Sequence, residues 1–326
     1  DFRSANAAKK IFYYKEGTTA TVAVCEGEFQ GKKQNVLLIN GKADASSVGD
    51  LPTQVLLGQL PMLFRPQAQS ALVVGVGSGV SAGSVLIHPV KRLDCVEIST
   101  EVVEASQYFN DVNNRPLDDF RLRLYVEDAL AFLKLTPQSY DVIVSEPSNP
   151  WIAGIGNLFT IEFFQECKKK LNPNGIIVQW FHLYEMDDDL IKLVLRTFES
   201  VFPSVTIWQA QSTDIMIVGC NGSFSFDYGQ LEKTIQMPGV KADLDRVMVP
   251  NAATLLSLQI MSEQKVKEFM GAGDLNTEDM PRLEYNAPRA FFVNRGAREL
   301  LRFDERISFG SPGIFLSKRL QMKPLT

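Results

Sequence analysis

Ala71-Leu72-Val73-Val74-Gly75-Val76-Gly77-Ser78-Gly79 decides how this chain is read. Four apolar residues run into a turn with glycine at every second position, and residues 80–87 follow with helical spacing. A buried strand, a turn that glycine follows easily and a helix make the first βα unit of an open α/β sheet. Glycines there also let a ligand approach the backbone. Taken alone, the pattern equally suits a bare structural turn, so its neighbours must decide.

Downstream the same grammar repeats. Strands are expected at 92–96, 121–126, 141–145, 175–180, 204–208 and 214–218, with helices at 100–109, 161–171 and 188–198. Together with 71–74 this predicts a Rossmann-like, methyltransferase-type α/β fold with a seven-stranded, mostly parallel sheet covered on both faces. Upstream, residues 11–14, 19–24 and 35–39 are β-branched and aromatic runs between turn formers, a small antiparallel sheet. Residues 53–60 read as a helix that Pro61 stops. The expected division is a small N-terminal β domain with its connecting helix at 1–60 and a cofactor and catalytic domain at 61–326. Residues 229–272 read as helices broken at Pro238-Gly239 and Pro250, and 273–289 as a polar loop.

Composition narrows the function. The 326 residues are 45% apolar with formal net charge -5, so the chain as a whole does not attract nucleic-acid phosphates. The four cysteines, Cys25, Cys95, Cys167 and Cys220, form no Cys-x-x-Cys pair and are expected as buried thiols. With two histidines and no His/Cys cluster, no metal site is expected. No stretch reaches the roughly 18 apolar residues of a membrane span. The sequence opens on Asp1 rather than Met, so a fragment, a processed product or an engineered start is expected.

Two further strand ends support a nucleoside. Glu97 closes the second strand, 22 residues after Gly75, where a carboxylate can accept from ribose hydroxyls. Glu127-Asp128-Ala129 follows the third strand. Asp128 suits an adenine amino group, a helix N-cap, or both. Beside Gly75, Gly77, Ser78, Gly79, Glu97, Ile98, Asp128 and Ala129, Gln59 approaches from the connecting helix. No Lys/Tyr or His/Asp pair for hydride transfer is present, so a sulfonium nucleoside fits better than a dinucleotide.

The reacting side begins at Tyr140-Asp141-Val142-Ile143-Val144-Ser145-Glu146-Pro147-Ser148-Asn149-Pro150-Trp151. An apolar strand stops at a carboxylate and a proline-bounded loop. Glu146 can orient an amine, neutralise it or take its proton. Asn149 and Trp151 offer a hydrogen bond and a wall for an alkyl or cationic group. Gln179, Trp180, His182 and Tyr184 leave the next strand at the same sheet edge, and Asp44 approaches from the small domain. Asp187-Asp188-Asp189 reads as a helix start. Glu284, Tyr285 and Arg289 are read as a cover or as packing.

These motifs resemble the spermidine/spermine synthase family over roughly residues 9–290. The carriers are the glycine turn, Val96-Glu97-Ile98, Glu127-Asp128-Ala129, residues 38–47, 146–154 and 157–160, and Leu275-Asn276-Thr277-Glu278-Asp279-Met280-Pro281-Arg282-Leu283-Glu284-Tyr285. The likeness is to the bacterial branch often fused to a multi-pass membrane region. It implies decarboxylated S-adenosylmethionine as co-substrate, an amine acceptor, a homodimer and no metal or nucleic acid. It also implies a cytoplasmic location, as the cytoplasmic part of a membrane-attached protein where such a fusion exists. On that resemblance Glu146 stands at the catalytic Asp, Glu97 at the ribose, Asp128 at the adenine, and Asp44, Asn149, Trp151, Gln179 and Tyr184 on the substrate side. Departures accompany it. The family's glycine turn carries Asp where this chain has Ser78, and its Asp-Ser-Ser-Asp-Pro loop is Glu-Pro-Ser-Asn-Pro here. The family's Tyr, Glu and His fall at Thr53, Val55 and Gln59. The expected activity is aminopropyl transfer to an amine. The alternatives are N-methyl transfer from ordinary S-adenosylmethionine and a non-catalytic ligand-binding or regulatory domain.

Overall fold

The computed structural model describes residues 10–152, 154–292 and 299–308. Ala153 and both chain ends, which fall within the quoted loop and the expected domain limits, lie outside them. Four antiparallel strands come first, in chain order: β1 (Ile11–Glu16), β2 (Thr21–Phe29), β3 (Lys32–Ile39) and β4 (Lys42–Ser46). Three runs were expected there. The fourth exists because Asn40 and Gly41 take φ of 50 and 84°, which turns the polar segment Lys-Ala-Asp-Ala-Ser back onto β3.

The main sheet has eight strands, not seven. They are β5 (Ser70–Val74), β6 (Arg92–Glu97), β7 (Leu122–Val126), β8 (Tyr140–Ser145), β9 (Leu171–His182), β10 (Ser204–Trp208), β11 (Asp214–Cys220) and β12 (Gln259–Met261). Their order is β12-β10-β11-β9-β8-β5-β6-β7. The run from β7 to β9 is parallel, and β11, β10 and β12 join antiparallel. The extra strand, β12, is three residues long inside a stretch whose pattern reads as helical, and its pairing to β10 makes it a strand.

Strand alternation feeds two cores. Val142 and Val144 of β8 point into one, and Ile143 into the other. The first is covered by α1 (Leu51–Phe64) and α2 (Val80–Leu86); beyond α3 (Thr100–Ser106) and α4 (Ala129–Leu135), the second is covered by α5 (Ile161–Lys170) and α6 (Asp188–Val201).

Pro61 does not stop α1, which runs on to Phe64. An interior proline costs about 3 kcal/mol. Val55, Leu56, Leu57, Leu60, Met62 and Leu63 are all at most 1% exposed, and each buried side chain is worth about 1.5–3 kcal/mol. Packing therefore outweighs the lost hydrogen bond, and the expected domain limit at 60/61 falls inside one helix. The break expected at Pro238-Gly239 falls just before Pro238, which starts the helix Pro238–Asp245, since the first turn needs no N–H there. The expected polar loop at 273–289 is a loop only to Pro281, after which Arg282–Phe292 is helical. Its apolar face is anchored by Leu283 and Ala287, both fully buried.

The small sheet docks through Val22, Val24, Leu37 and Ile39 on Val102 and Ala105 of α3 and on Phe109 beyond it. Tyr13 and Lys15 both donate to Glu104. All four cysteines are buried.

Candidate active site

A cavity of about 340 Å³ opens at the C-terminal ends of β5, β6 and β8. Open α/β sheets bind ligands there because helix starts and loops converge outside the strand ends. The small sheet closes one side with Thr19, Ala20, Ile39 and Asp44.

The glycine turn and the loop after β8 touch through their backbones. Gly75 has φ of 88°, and a Cβ on it would lie 2.4 Å from the Glu146 carbonyl oxygen. Gly75 N–H donates to Val96, and Glu146 N–H donates to Val74. These contacts place Glu97 and Glu146 at one cavity. Glu97 accepts from Val76 N at 2.9 Å and Ser99 N at 3.0 Å. The backbone N–H groups of Ile98 and Gly77 add to these two donors, so a ligand hydroxyl reaching Glu97 would share its oxygens with them. Burial raises its pKa, against the pull of those N–H donors. Asp128 caps α4 by accepting from Ala131 N at 2.8 Å and also lines the cavity.

Glu146 lines the same cavity, with Ser81 Oγ against its Oε2. Burial pushes its carboxyl up to about 8, a hydrogen bond given by Ser81 to the carboxylate would work against that rise, and the negative charges of Asp44, Asp214 and Asp50 add to it. Asp44 is raised to about 6 by burial, opposed by its hydrogen bond to Ser148. Asp214 is raised to about 7 by burial and accepts from Thr53 Oγ1 at 2.9 Å. Four carboxyl groups thus gather beside the cavity. Asp50, Asp214 and Ser81 were not marked by the sequence. Asp214 merely opens an apolar strand there; its antiparallel register opposite His182 brings it to the site.

Gly75, Gly77, Glu97, Ile98, Asp128, Ala129, Asp44 and Glu146 line the cavity, and Ser78, Gly79 and Gln59 do not. The Ser78 hydroxyl turns away to donate to Gln54 Oε1 at 2.8 Å. Gly79, with φ of 81°, closes the turn against Asn113. The Gln59 amide is consumed in a buried network: it donates to Asp243 at 2.7 Å, and its oxygen meets His88 Nε2 at 2.8 Å.

On the substrate side, Asn149 is buried and accepts from the Tyr184 hydroxyl at 2.9 Å. Trp151 packs edge-on to His182 with ring centroids 4.5 Å apart. Gln179 is buried beside Ser145 in the strand register and donates to Trp180 O. None of these three lines the cavity, and Tyr184 stands partly exposed beyond it, where Asp44, Asp50 and Asp214 raise its pKa further after burial.

The loop 154–160 that completes the wall is held from the C-terminal side. Buried Asn276 donates to Phe159 O at 3.1 Å, and Glu284 accepts from Gly154 N at 3.2 Å. Glu284 is therefore a support for this wall.

The spermine/spermidine synthase domain model matches residues 51–213, half of the chain. The chain belongs to this family. Two curated relatives are polyamine aminopropyltransferases. The one from Clostridium beijerinckii is 30% identical over 158 residues, 48% of this chain and 55% of the relative. The one from Shigella dysenteriae is 29% identical over 174 residues, 53% and 59% respectively. The chain thus spans little more than half the length of these relatives. Among solved structures, a spermidine synthase in complex with the transition-state analogue AdoDATO superposes with TM-score 0.67 at 19% identity, covering 80% of this chain and 88% of that one. The spermidine synthase from Thermotoga maritima gives 0.64 at 18%, covering 80% and 87%. At these identities the superpositions establish the family's fold, an α/β sheet with a small antiparallel N-terminal sheet.

Proposed function

We propose that this chain transfers an aminopropyl group from decarboxylated S-adenosylmethionine to an amine acceptor, with Glu146 as the acceptor-side base. The carrying observation is the charge of the cavity wall. Among the described residues, its lining includes Asp44, Glu97, Glu127, Asp128 and Glu146 and no Lys, Arg or His. Two unit charges 4 Å apart interact by about 1 kcal/mol in water and about 4 kcal/mol at an effective dielectric of 20. Even with Glu146 protonated at rest, the other acidic side chains of the wall, with no cation beside them, disfavour a donor that keeps its carboxylate. A decarboxylated donor brings only positive charge, as does an ammonium acceptor. The volume suits a nucleoside-sized ligand, within the roughly 300–1,000 Å³ of small-molecule sites.

When bound, the donor supplies an electrophilic carbon on a sulfonium sulfur. Glu97 and Asp128 hold the nucleoside end. The Glu146 carboxylate takes one proton from the acceptor ammonium, freeing the nitrogen lone pair. The new N–C bond forms as the C–S bond breaks, and the sulfur leaves as a neutral thioether. Alignment of nitrogen, carbon and sulfur supplies much of the rate. A homodimer and a cytoplasmic location, beside a membrane-embedded region where the two are fused, belong to the same proposal by family resemblance.

The test is calorimetric binding of decarboxylated and ordinary S-adenosylmethionine, followed by incubation with a panel of amines. The expected result is tighter binding of the decarboxylated donor and formation of methylthioadenosine. Glu146→Gln should lower turnover about 10²–10⁴-fold with donor binding kept. Preference for the ordinary donor with S-adenosylhomocysteine as product would replace this reading by methyl transfer. Binding without turnover across the panel would replace it by a non-catalytic domain.

A further inference from the structure

Ser81 lies on α2 and is almost fully buried, at 2% exposure. Its hydroxyl oxygen is 2.9 Å from the backbone carbonyl of Gln54 on α1 and 2.5 Å from Glu146 Oε2. A hydroxyl owns one hydrogen and two acceptor lone pairs. A carbonyl only accepts, and so does an ionised carboxylate. If Glu146 is ionised, one of the two contacts is oxygen against oxygen with no hydrogen between them. If Glu146 carries its proton, both contacts are hydrogen bonds: Glu146 donates to Ser81 Oγ, and Ser81 donates to Gln54 O.

We propose that Ser81 is a positioning residue that keeps Glu146 in its neutral acid form at rest, through a relay from Glu146 to Ser81 to the Gln54 carbonyl. The relay is rigidly mounted. α1 and α2 cross so closely that a Cβ on Gly58 would lie 2.5 Å from the Ser81 carbonyl oxygen. The charged groups facing Glu146 agree in sign. Asp44 comes from β4, Asp50 from the start of α1 and Asp214 from β11, each adding repulsion to an ionised Glu146. The Tyr184 hydroxyl donates to Asn149 instead. Burial of the Glu146 carboxyl favours the same neutral form. A cationic acceptor reverses the balance: the Glu146 proton leaves to solvent, and the carboxylate that remains pairs with the ammonium. Ser81 then turns its hydrogen to Glu146 or leaves it on Gln54. This rests on Glu146 as the acceptor-side carboxylate, but the relay exists without any acceptor.

The two directions of the Ser81 hydroxyl give opposite signs on mutation. If Ser81 accepts from the neutral acid, its removal destabilises that form and the Glu146 midpoint falls. If Ser81 donates to the carboxylate, its removal raises the midpoint. The experiment is a pH 4–10 titration of the whole protein labelled with ¹³C at glutamate carboxyls, the Glu146 signal being identified by its loss in Glu146→Gln. The expected result is a downward shift of about 0.5–1 pH unit in Ser81→Ala, restored in Ser81→Thr, which keeps the hydroxyl. An upward shift, or none, overturns the relay. If Ser81→Ala fails to fold, Ser81→Cys, which keeps the size but is a weaker acceptor, takes its place in the same titration: a downward shift supports the relay, and an upward shift or none overturns it. No donor or amine enters these measurements, so a failure of the transferase reading leaves their result standing.

Discussion

Glu97 shows how much one carboxylate can do at a strand end. Its two oxygens tie the glycine turn to the start of α3 through Val76 and Ser99, and the residue lines the cavity. Glu97→Gln keeps the size but turns half of an acceptor-only group into a donor. The expected outcome is loss of adenosine-ligand affinity by about tenfold or more, since hydrogen bonds to charged groups are worth about 1.5–3 kcal/mol. Calorimetry with methylthioadenosine checks this, because that ligand lacks the charged tail and isolates the nucleoside end. At this scale the sequence was partly legible. Glu97, Asp128 and Glu146 end strands or start helices, and such positions announce themselves. Asp50, Asp214 and Ser81 do not, because nothing local distinguishes them from cap, edge or helix-face residues.

At the scale of elements, the site depends on close backbone approaches that only glycine permits. A Cβ on Gly83 of α2 would lie 1.8 Å from the Asn113 carbonyl oxygen. Backbone cannot yield as a side-chain tip does, so Gly83→Ala must push α2 away from the loop at Asn113. The expected cost is at least about 2 kcal/mol, toward the upper end of overpacking penalties, read as a lowered urea midpoint with unchanged slope. α2 carries Ser81, so the same substitution should also weaken the contact to Glu146. Element boundaries were the least legible part. Pro61 and Pro288 both lie inside helices, at α1 and Arg282–Phe292, where neighbouring packing overrides the local break. β12 became a strand only because β10 offered it an edge.

Over the whole molecule, the balance of shifted carboxyls sets how stability follows pH. Asp44, Asp214 and Glu146 titrate near 6, 7 and 8 in the folded chain, against about 4 for free carboxyls. Between about pH 4 and 8 the folded state therefore binds more protons than the unfolded state. Stability falls as pH rises through that window. Asp141 and Asp119 are lowered instead: Asp141 has four hydrogen bonds that outweigh burial, and Asp119 has its bond to Arg121. Their contribution is present above about pH 4 and lost below it. The melting temperature should therefore peak near pH 5 and decline toward pH 8. Asp214→Asn removes one titrating group while keeping an acceptor for Thr53. Differential scanning calorimetry between pH 5 and 8 should show a shallower decline in this variant. An unchanged slope would mean that Asp214 does not hold a proton in the folded chain.

The sequence by itself determined the α/β grammar, the small antiparallel sheet, the family and the strand-end carboxylates of the cavity. These follow from alternation, turn chemistry and motif spacing, all of which act over a few residues. Only the tertiary structure decided which polar side chains face the cavity. Ser78 and Gln59 sit in motifs that point to the cavity, yet their side chains are spent on Gln54 and on the Asp243–His88 network. Asp214 and Ser81 sit in no motif, yet register and helix crossing carry them to Glu146. A side chain's partner depends on what the folded chain brings within 3 Å of it. That is set by packing between segments far apart in sequence, and local pattern does not record it.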